Sequence, residues 1–195
     1  MSRPLFQLKS ASQPAGGRRI AVVGTTGSGK TTLACHVSRL TGCPHVELDA
    51  LHWAANWTPV PDDVFRERTR RALRGDRWVV DGNYSKVRDI IWARADTVVW
   101  LDYALPVIMG RLVWRTLRRV IKQEELWNGN RERLWPQLFS RDSIFLWALQ
   151  TYRRRRREYP FLFSRPEYAH LTVVHLRSPQ AARDWLSSLA EVMTR

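Results

Sequence analysis

The octapeptide Gly24-Thr25-Thr26-Gly27-Ser28-Gly29-Lys30-Thr31 fits G-x-x-x-x-G-K-[ST] at every fixed position, and it constrains this chain more than any other feature. The apolar run Arg19 to Val23 leads into it, and a helical pattern from Lys30 to Leu40 leads out. That context predicts a strand, a tight loop and a helix. The glycines permit left-handed backbone and bring loop N–H groups up to phosphate oxygens, where the helix N-terminus adds partial positive charge. Gly24, Thr25, Thr26, Gly27, Ser28, Gly29, Lys30, Thr31 and Thr32 are therefore the expected nucleotide cradle. Lys30 is placed to reach the β- and γ-phosphates of ATP, and the Thr31 hydroxyl to ligate Mg2+. A dinucleotide site is disfavoured, because the glycines read G-x-x-G-x-G ahead of Lys30.

Short apolar runs alternate with longer helical patterns along the rest of the chain, which predicts an α/β fold with a parallel sheet. The expected strands are Arg19 to Val23, His45 to Leu48, Arg77 to Val80, Thr97 to Leu101 and Leu171 to Leu176. Helices are expected at Lys30 to Leu40, Asp62 to Arg74, Leu105 to Lys122, Arg141 to Tyr159 and Pro179 to Met193. The strand runs are continuously apolar rather than alternating, as burial on both faces requires. With 195 residues, the chain fits one domain over 18–195, preceded by a leader at 1–17 that is expected to be flexible. Two cysteines, Cys35 and Cys43, give neither a C-x-x-C pair nor a disulfide framework, so a reducing compartment is expected. No run of eighteen apolar residues occurs, which favours a cytoplasmic protein with no membrane partner.

Ligands of open parallel sheets gather at the carboxyl ends of the strands, so the acidic residues there matter most. Asp49 follows His45 to Leu48, Asp81 follows Trp78-Val79-Val80, and Asp102 follows Val98 to Leu101. Asp81 is the choice for the second Mg2+ contact, through water. Asp49 is placed to face an acceptor, where a carboxylate orients or deprotonates a hydroxyl. Asp102 is expected to cap the helix that follows it.

These residues resemble P-loop kinases of the adenylate-kinase-like group. Val79-Val80-Asp81-Gly82 resembles the Asp-Gly that opens the Asp-Gly-Phe-Pro-Arg motif of adenylate kinases. Arg111-Leu-Val-Trp-Arg115 is similar to the R-x-x-x-R at the base of their lid, which implies that Arg111 packs on adenine and Arg115 contacts phosphates. From Arg19 to Leu189 the closer likeness is to an adenylate-kinase-related family, the DNA topology modulation proteins. It is carried by Leu48-Asp49-Ala50-Leu51-His52-Trp53 with Trp57, by Trp78 through Tyr84, and by Leu176-Arg177-Ser178-Pro179. The resemblance implies a P-loop NTPase three-layer fold, a five-stranded parallel sheet in the order 2-3-1-4-5, ATP binding and an arginine-bearing helical lid. After Asp81-Gly82 the chain reads Asn83-Tyr84-Ser85-Lys86, so the Phe-Pro-Arg of true adenylate kinases, which holds the acceptor's phosphate, is missing. Lys86 or Arg88 is the candidate substitute. Asp49-Ala-Leu-His52 is also similar to the Asp-x-Leu-His of gluconate kinases, whose acceptor is a sugar-acid hydroxyl.

The chain carries a net charge of +14, and residues 110–160 hold thirteen basic residues against five acidic ones. Arg111, Arg115, Arg118, Arg119 and Lys122 share one broad helical face, and residues 123–140 are the expected lid. In the consecutive run Arg153 to Arg157, no more than about two residues can face one site at 3.6 residues per turn. Lys30, Arg115 and Asp49 are the expected catalytic residues of an ATP- and Mg2+-using phosphotransferase acting on an unidentified small acceptor. The alternative is a nucleic-acid-associated, ATP-binding protein with a basic lid surface, in which Tyr152, Trp135 and Trp147 would stack on bases.

Overall fold

A computed structural model describes residues 8–9, 18–122, 128 and 144–193. Its centre is a parallel sheet of six strands: β1 (Leu8–Lys9), β2 (Arg19–Gly24), β3 (His45–Glu47), β4 (Trp78–Asp81), β5 (Thr97–Leu101) and β6 (Thr172–Leu176). Their spatial order is β1-β6-β5-β2-β4-β3. The five strands from β2 to β6 reproduce the expected 2-3-1-4-5 order. The two-residue β1 adds a sixth at the edge, pairing Leu8 with Val173 and Lys9 with Val174, inside the segment expected to be a flexible leader. Two residues are too few to show a periodicity.

The helices are α1 (Lys30–Thr41), α2 (Leu48–His52), α3 (Asp62–Ala72), α4 (Arg88–Trp92), α5 (Leu105–Lys122), α6 (Ile144–Phe163) and α7 (Pro179–Met193). Arg141 to Ser143 of the expected helix lie outside the described residues, and α6 continues beyond the expected Tyr159, through Pro160, to Phe163. The proline only removes the N–H that would have bonded the Arg156 carbonyl, and the aromatic face of the helix holds the last turn in place. That face stacks Phe163 on Trp92, with ring centroids 5.0 Å apart. The expected lid, 123–140, lies outside the described residues except for Asn128. Among the described residues no helix is long and apolar enough to cross a membrane.

The strands read as unbroken apolar runs because successive residues feed two different cores. Ala21, Val23, Val80, Val98 and Trp100 face one core, closed by α3, α4 and α6 through Phe65, Ile91, Trp92, Tyr159 and Phe163. Ile20, Val22, Val79, Val99 and Leu101 face the other, closed by α1, α5 and α7 through Leu33, Val37, Ile108, Trp185 and Leu189. Burying a large apolar side chain stabilises by roughly 1.5–3 kcal/mol, so this double layer holds the strand ends rigidly in register. Val22 pairs with Asp81 and Gly24 with Leu101, which sets the loop after β2 beside the ends of β4 and β5.

Gly82 shows how tightly those ends are packed. Its φ is +139°, and a Cβ there would lie 2.8 Å from Leu48 Cβ at the start of α2. Gly82→Ala is expected to destabilise by about 2–4 kcal/mol, combining backbone strain with overpacking. A thermal melt checks this; a midpoint within a degree of wild type would mean that α2 shifts at no cost.

Candidate active site

The loop Gly24–Gly29 turns out of β2 and feeds α1, whose first residue is Lys30. Gly27 sits at φ +78°, and a Cβ there would meet the Ile108 carbonyl at 2.9 Å, so α5 lies directly against the loop. Ser28 is fully buried, and among the described residues its hydroxyl has no hydrogen-bond partner. A buried hydroxyl of this kind in a glycine-rich loop at a helix N-terminus fits a phosphate cradle. Lys30 Nζ folds back to donate to the Thr25 carbonyl at 3.4 Å. Burial and the repulsion of Arg155 lower its pKa to about 8, against the opposing pull of Asp81 and Asp49.

Thr31 Oγ1 donates to Asp81 Oδ2 at 2.6 Å. A hydroxyl and a carboxylate meeting at the foot of a phosphate loop are hard oxygen donors, and they fit Mg2+. The second carboxylate oxygen is held by His45 from β3, with Nε2 3.1 Å from Asp81 Oδ1. That hydrogen bond raises the His45 pKa. Asp49 lies one residue into α2 and accepts a 2.5 Å hydrogen bond from the Tyr84 hydroxyl. Burial and the neighbouring Asp49 charge raise the Tyr84 pKa, so the phenol stays protonated and donating. Tyr84 in turn packs on His52 and Phe65, with ring centroids 4.6 Å and 5.0 Å apart.

Of the residues expected from sequence, Lys30, Thr31, Asp81 and Asp49 come together at the carboxyl ends of β2, β3 and β4. Arg111 lies against the loop: its Nη1 donates to the Ser28 carbonyl at 3.0 Å, and its guanidinium sits 5.2 Å over the Tyr103 ring. Arg115, one turn further along α5, is within electrostatic reach of Lys30. Asp102 does not serve α5 as expected. Ala104, not Asp102, precedes the helix, and the buried Asp102 carboxylate accepts instead from Arg156 Nε at 2.5 Å and His175 Nε2 at 3.0 Å. Burial works to raise its pKa, but these two hydrogen bonds win and hold it below the usual carboxylate range.

Two residues of the site were not foreseen. Asn83 clamps the loop: its Oδ1 accepts from Gly24 N–H at 3.1 Å, and its Nδ2 donates to the Gly24 carbonyl. Tyr159 of α6 donates to the same Oδ1 at 3.0 Å, tying sheet, loop and helix together. Arg155 is the other. It is only 5% exposed, and burial pushes its pKa down. The signal for it lies in the spacing of Ala148, Thr151, Arg155, Tyr159 and Leu162, all buried and one helical stripe. Among the aromatics considered for base stacking, Trp135 lies outside the described residues. Arg155 covers Trp147 and Arg156 covers Tyr152, at 5.0 Å and 4.8 Å, so one face of each ring is already occupied.

Solved structures share this fold. A shikimate kinase from Bacteroides thetaiotaomicron matches with a TM-score of 0.54 and 15% identity, over 92% of this chain and 100% of that one. The fold is that of the P-loop kinases. A shikimate kinase from Acinetobacter baumannii in complex with shikimate matches with a TM-score of 0.51 and 16% identity, over 90% of this chain and 92% of that one. A gluconokinase from Sinorhizobium meliloti 1021 is 20% identical over 95% of this chain and 96% of its own, with a TM-score of 0.49. No family model matches the chain, and no curated protein does.

Proposed function

We propose that this P-loop kinase fold carries an ATP-dependent phosphotransferase that moves the γ-phosphoryl group to a hydroxyl of a small acceptor. The observation that carries the reading is the meeting of Lys30 with two carboxylates of different surroundings. Asp81 is bonded on both oxygens, to Thr31 and His45, while Asp49 accepts from the Tyr84 phenol at one oxygen. The first is held in place by both contacts, and the second is the one proposed to face the acceptor hydroxyl. Thr31 and Asp81 would hold Mg2+, which supplies charge neutralisation across the β- and γ-phosphates when bound.

The loop N–H groups and Lys30 hold the triphosphate. Asp49 accepts the proton of the acceptor hydroxyl as its oxygen bonds to phosphorus, and the bond to the bridging oxygen of ADP breaks. Arg115 and Arg155, both within reach of Lys30, neutralise charge on the group in transit. Arg111 fixes the loop through the Ser28 carbonyl, and the likeness to the adenylate-kinase-like group assigns it the packing on adenine. The likeness to the adenylate-kinase-like group, with the tryptophan-bearing motifs of the DNA topology modulation proteins, belongs to this reading. The two shikimate kinases of the same fold make a hydroxyl acceptor the first class to try.

The test is ADP release across hydroxy acids, neutral polyols and nucleoside monophosphates, with Lys30→Ala as the blank. At least one acceptor is expected to raise ADP formation about tenfold or more above hydrolysis by water. A flat panel would remove the proposal.

A further inference from the structure

We propose that Asn83 and Tyr84 are positioning residues that hold the phosphate loop and Asp49 at one fixed separation, so that donor and base meet as parts of a single frame. The proposal rests on the phosphotransferase reading for the role of Asp49, and on the hydrogen bonds alone for the frame.

The loop and Asp49 arrive from strands that do not touch. β2 delivers the loop, β3 delivers α2 with Asp49, and β4 lies between them in the sheet. Main-chain pairing between β2 and β4 stops short of the loop. Its last register pair is Val22 with Asp81, and the Gly82 N–H still reaches the Val22 carbonyl at 3.4 Å. From there the Asn83 side chain takes over. A carboxamide carries the same acceptor and donor as a peptide group, and Asn83 directs both at one residue, accepting from the Gly24 N–H at 3.1 Å and donating to the Gly24 carbonyl. Gly24 opens the phosphate loop and has little room on its other side, where a Cβ would lie 2.7 Å from the Leu101 carbonyl of β5. The loop entrance is thus wedged between β5 and Asn83. The Tyr159 hydroxyl, donating to Asn83 Oδ1 at 3.0 Å, fixes the amide in turn.

Tyr84 carries the frame across to the base. Its backbone is extended, at φ −87° and ψ 113°, and where Asn83 turns to β2 the Tyr84 side chain turns to α2, donating to Asp49 Oδ1 at 2.5 Å. His52 and Phe65 pack on the phenol ring and limit its swing. α2 is held against the same segment, because Gly82 leaves no room for a Cβ beside Leu48. The path from the Gly24 backbone to the Asp49 carboxylate is therefore two side chains and the peptide that joins them. Across that peptide the α-carbons lie about 3.8 Å apart, a length that does not stretch. Group transfer needs reacting atoms about 3–3.5 Å apart, and a displacement of about 1 Å costs on the order of 10²-fold.

Kinetics and unfolding test the frame separately. With any acceptor that wild type turns over, Asn83→Ala and Tyr84→Phe are each expected to lower kcat about tenfold or more, while affinity for Mg2+ with the β,γ-imido analogue of ATP stays within about threefold. The double variant is expected to fall no further than the worse single one, because one distance can be lost only once. Wild-type kcat in either variant, losses that multiply in the double variant, or a loss of nucleotide affinity that accounts for the whole effect overturns the proposal. Asn83→Ser takes the place of the alanine variant if that one does not fold. The second measurement needs no turnover. Asn83→Ala and Asp49→Ala are expected to shift the urea midpoint by less together than the sum of their separate shifts, and to become additive in a Tyr84→Phe background. Additive shifts with Tyr84 in place overturn the frame. If the coupling is present and no acceptor is turned over, the frame stands and the phosphotransferase reading falls.

Discussion

Replacing Lys30 with alanine is expected to lower kcat/KM for ATP by about 10³-fold or more, through loss of the one ammonium that reaches the transferring phosphoryl group. Among the described residues the side chain bonds only the Thr25 carbonyl, at 3.4 Å, so the fold has little to lose. Calorimetry with the β,γ-imido analogue, ADP release and a thermal melt together make the check. Unchanged affinity and turnover in a folded variant would refute the assignment of the loop. The same residue predicts a pH dependence. Its pKa of about 8 in the free protein will rise once phosphates surround it, so binding above pH 8 takes up a proton. Affinity is therefore fully present below about pH 7 and falls as pH rises through 8, toward one log unit per pH unit. A flat profile between about pH 7 and about pH 9 would show that the ammonium does not contact the nucleotide.

The second large effect is expected at Asp49. Asp49→Asn keeps an oxygen to accept the Tyr84 hydroxyl but removes the group that takes the acceptor's proton. The expected result is a fall in kcat of about 10²–10⁴-fold with affinity for the ATP analogue unchanged. That split matters, because a merely structural Asp49 would weaken binding or lower the melting temperature instead. Wild-type kcat in the asparagine variant, measured with any acceptor that wild type turns over, would leave the mechanism without its base.

The legible and illegible parts of the site differ in how far apart their residues lie. The phosphate loop reads directly because the eight residues that make it are contiguous, and their chemistry and backbone needs coincide. Thr31 and Asp81 are fifty positions apart, yet each sits at a place that the alternation of strands and helices marks, so their meeting was foreseeable. Asn83 is different: its bonds run to the backbone of Gly24, and no side-chain pattern announces a backbone partner 59 residues away. Arg155 was hidden by its neighbours. Five adjacent arginines look like one charged surface until the buried stripe from Ala148 to Leu162 shows which one turns inward. Asp102 was misread because a strand-terminal aspartate next to a helix suits capping on local grounds. The attraction of Arg156 and His175, brought in from α6 and β6, outweighs that local option. The order of the sheet itself follows from family likeness rather than from periodicity, since apolar runs state burial but not adjacency.

The Asp102 contact also governs the orientation of its neighbours. Successive residues of a helix point about 100° apart, so mooring one of them sets the compass for the rest. Arg156 is moored, by a buried carboxylate on the rigid end of β5. With that bearing fixed, the buried Arg155 lies within electrostatic reach of Lys30, while Arg154 turns outward to Glu158. The arginine run is thus a keyed shaft: one tooth engages the sheet, and the next tooth's direction is no longer left to thermal motion.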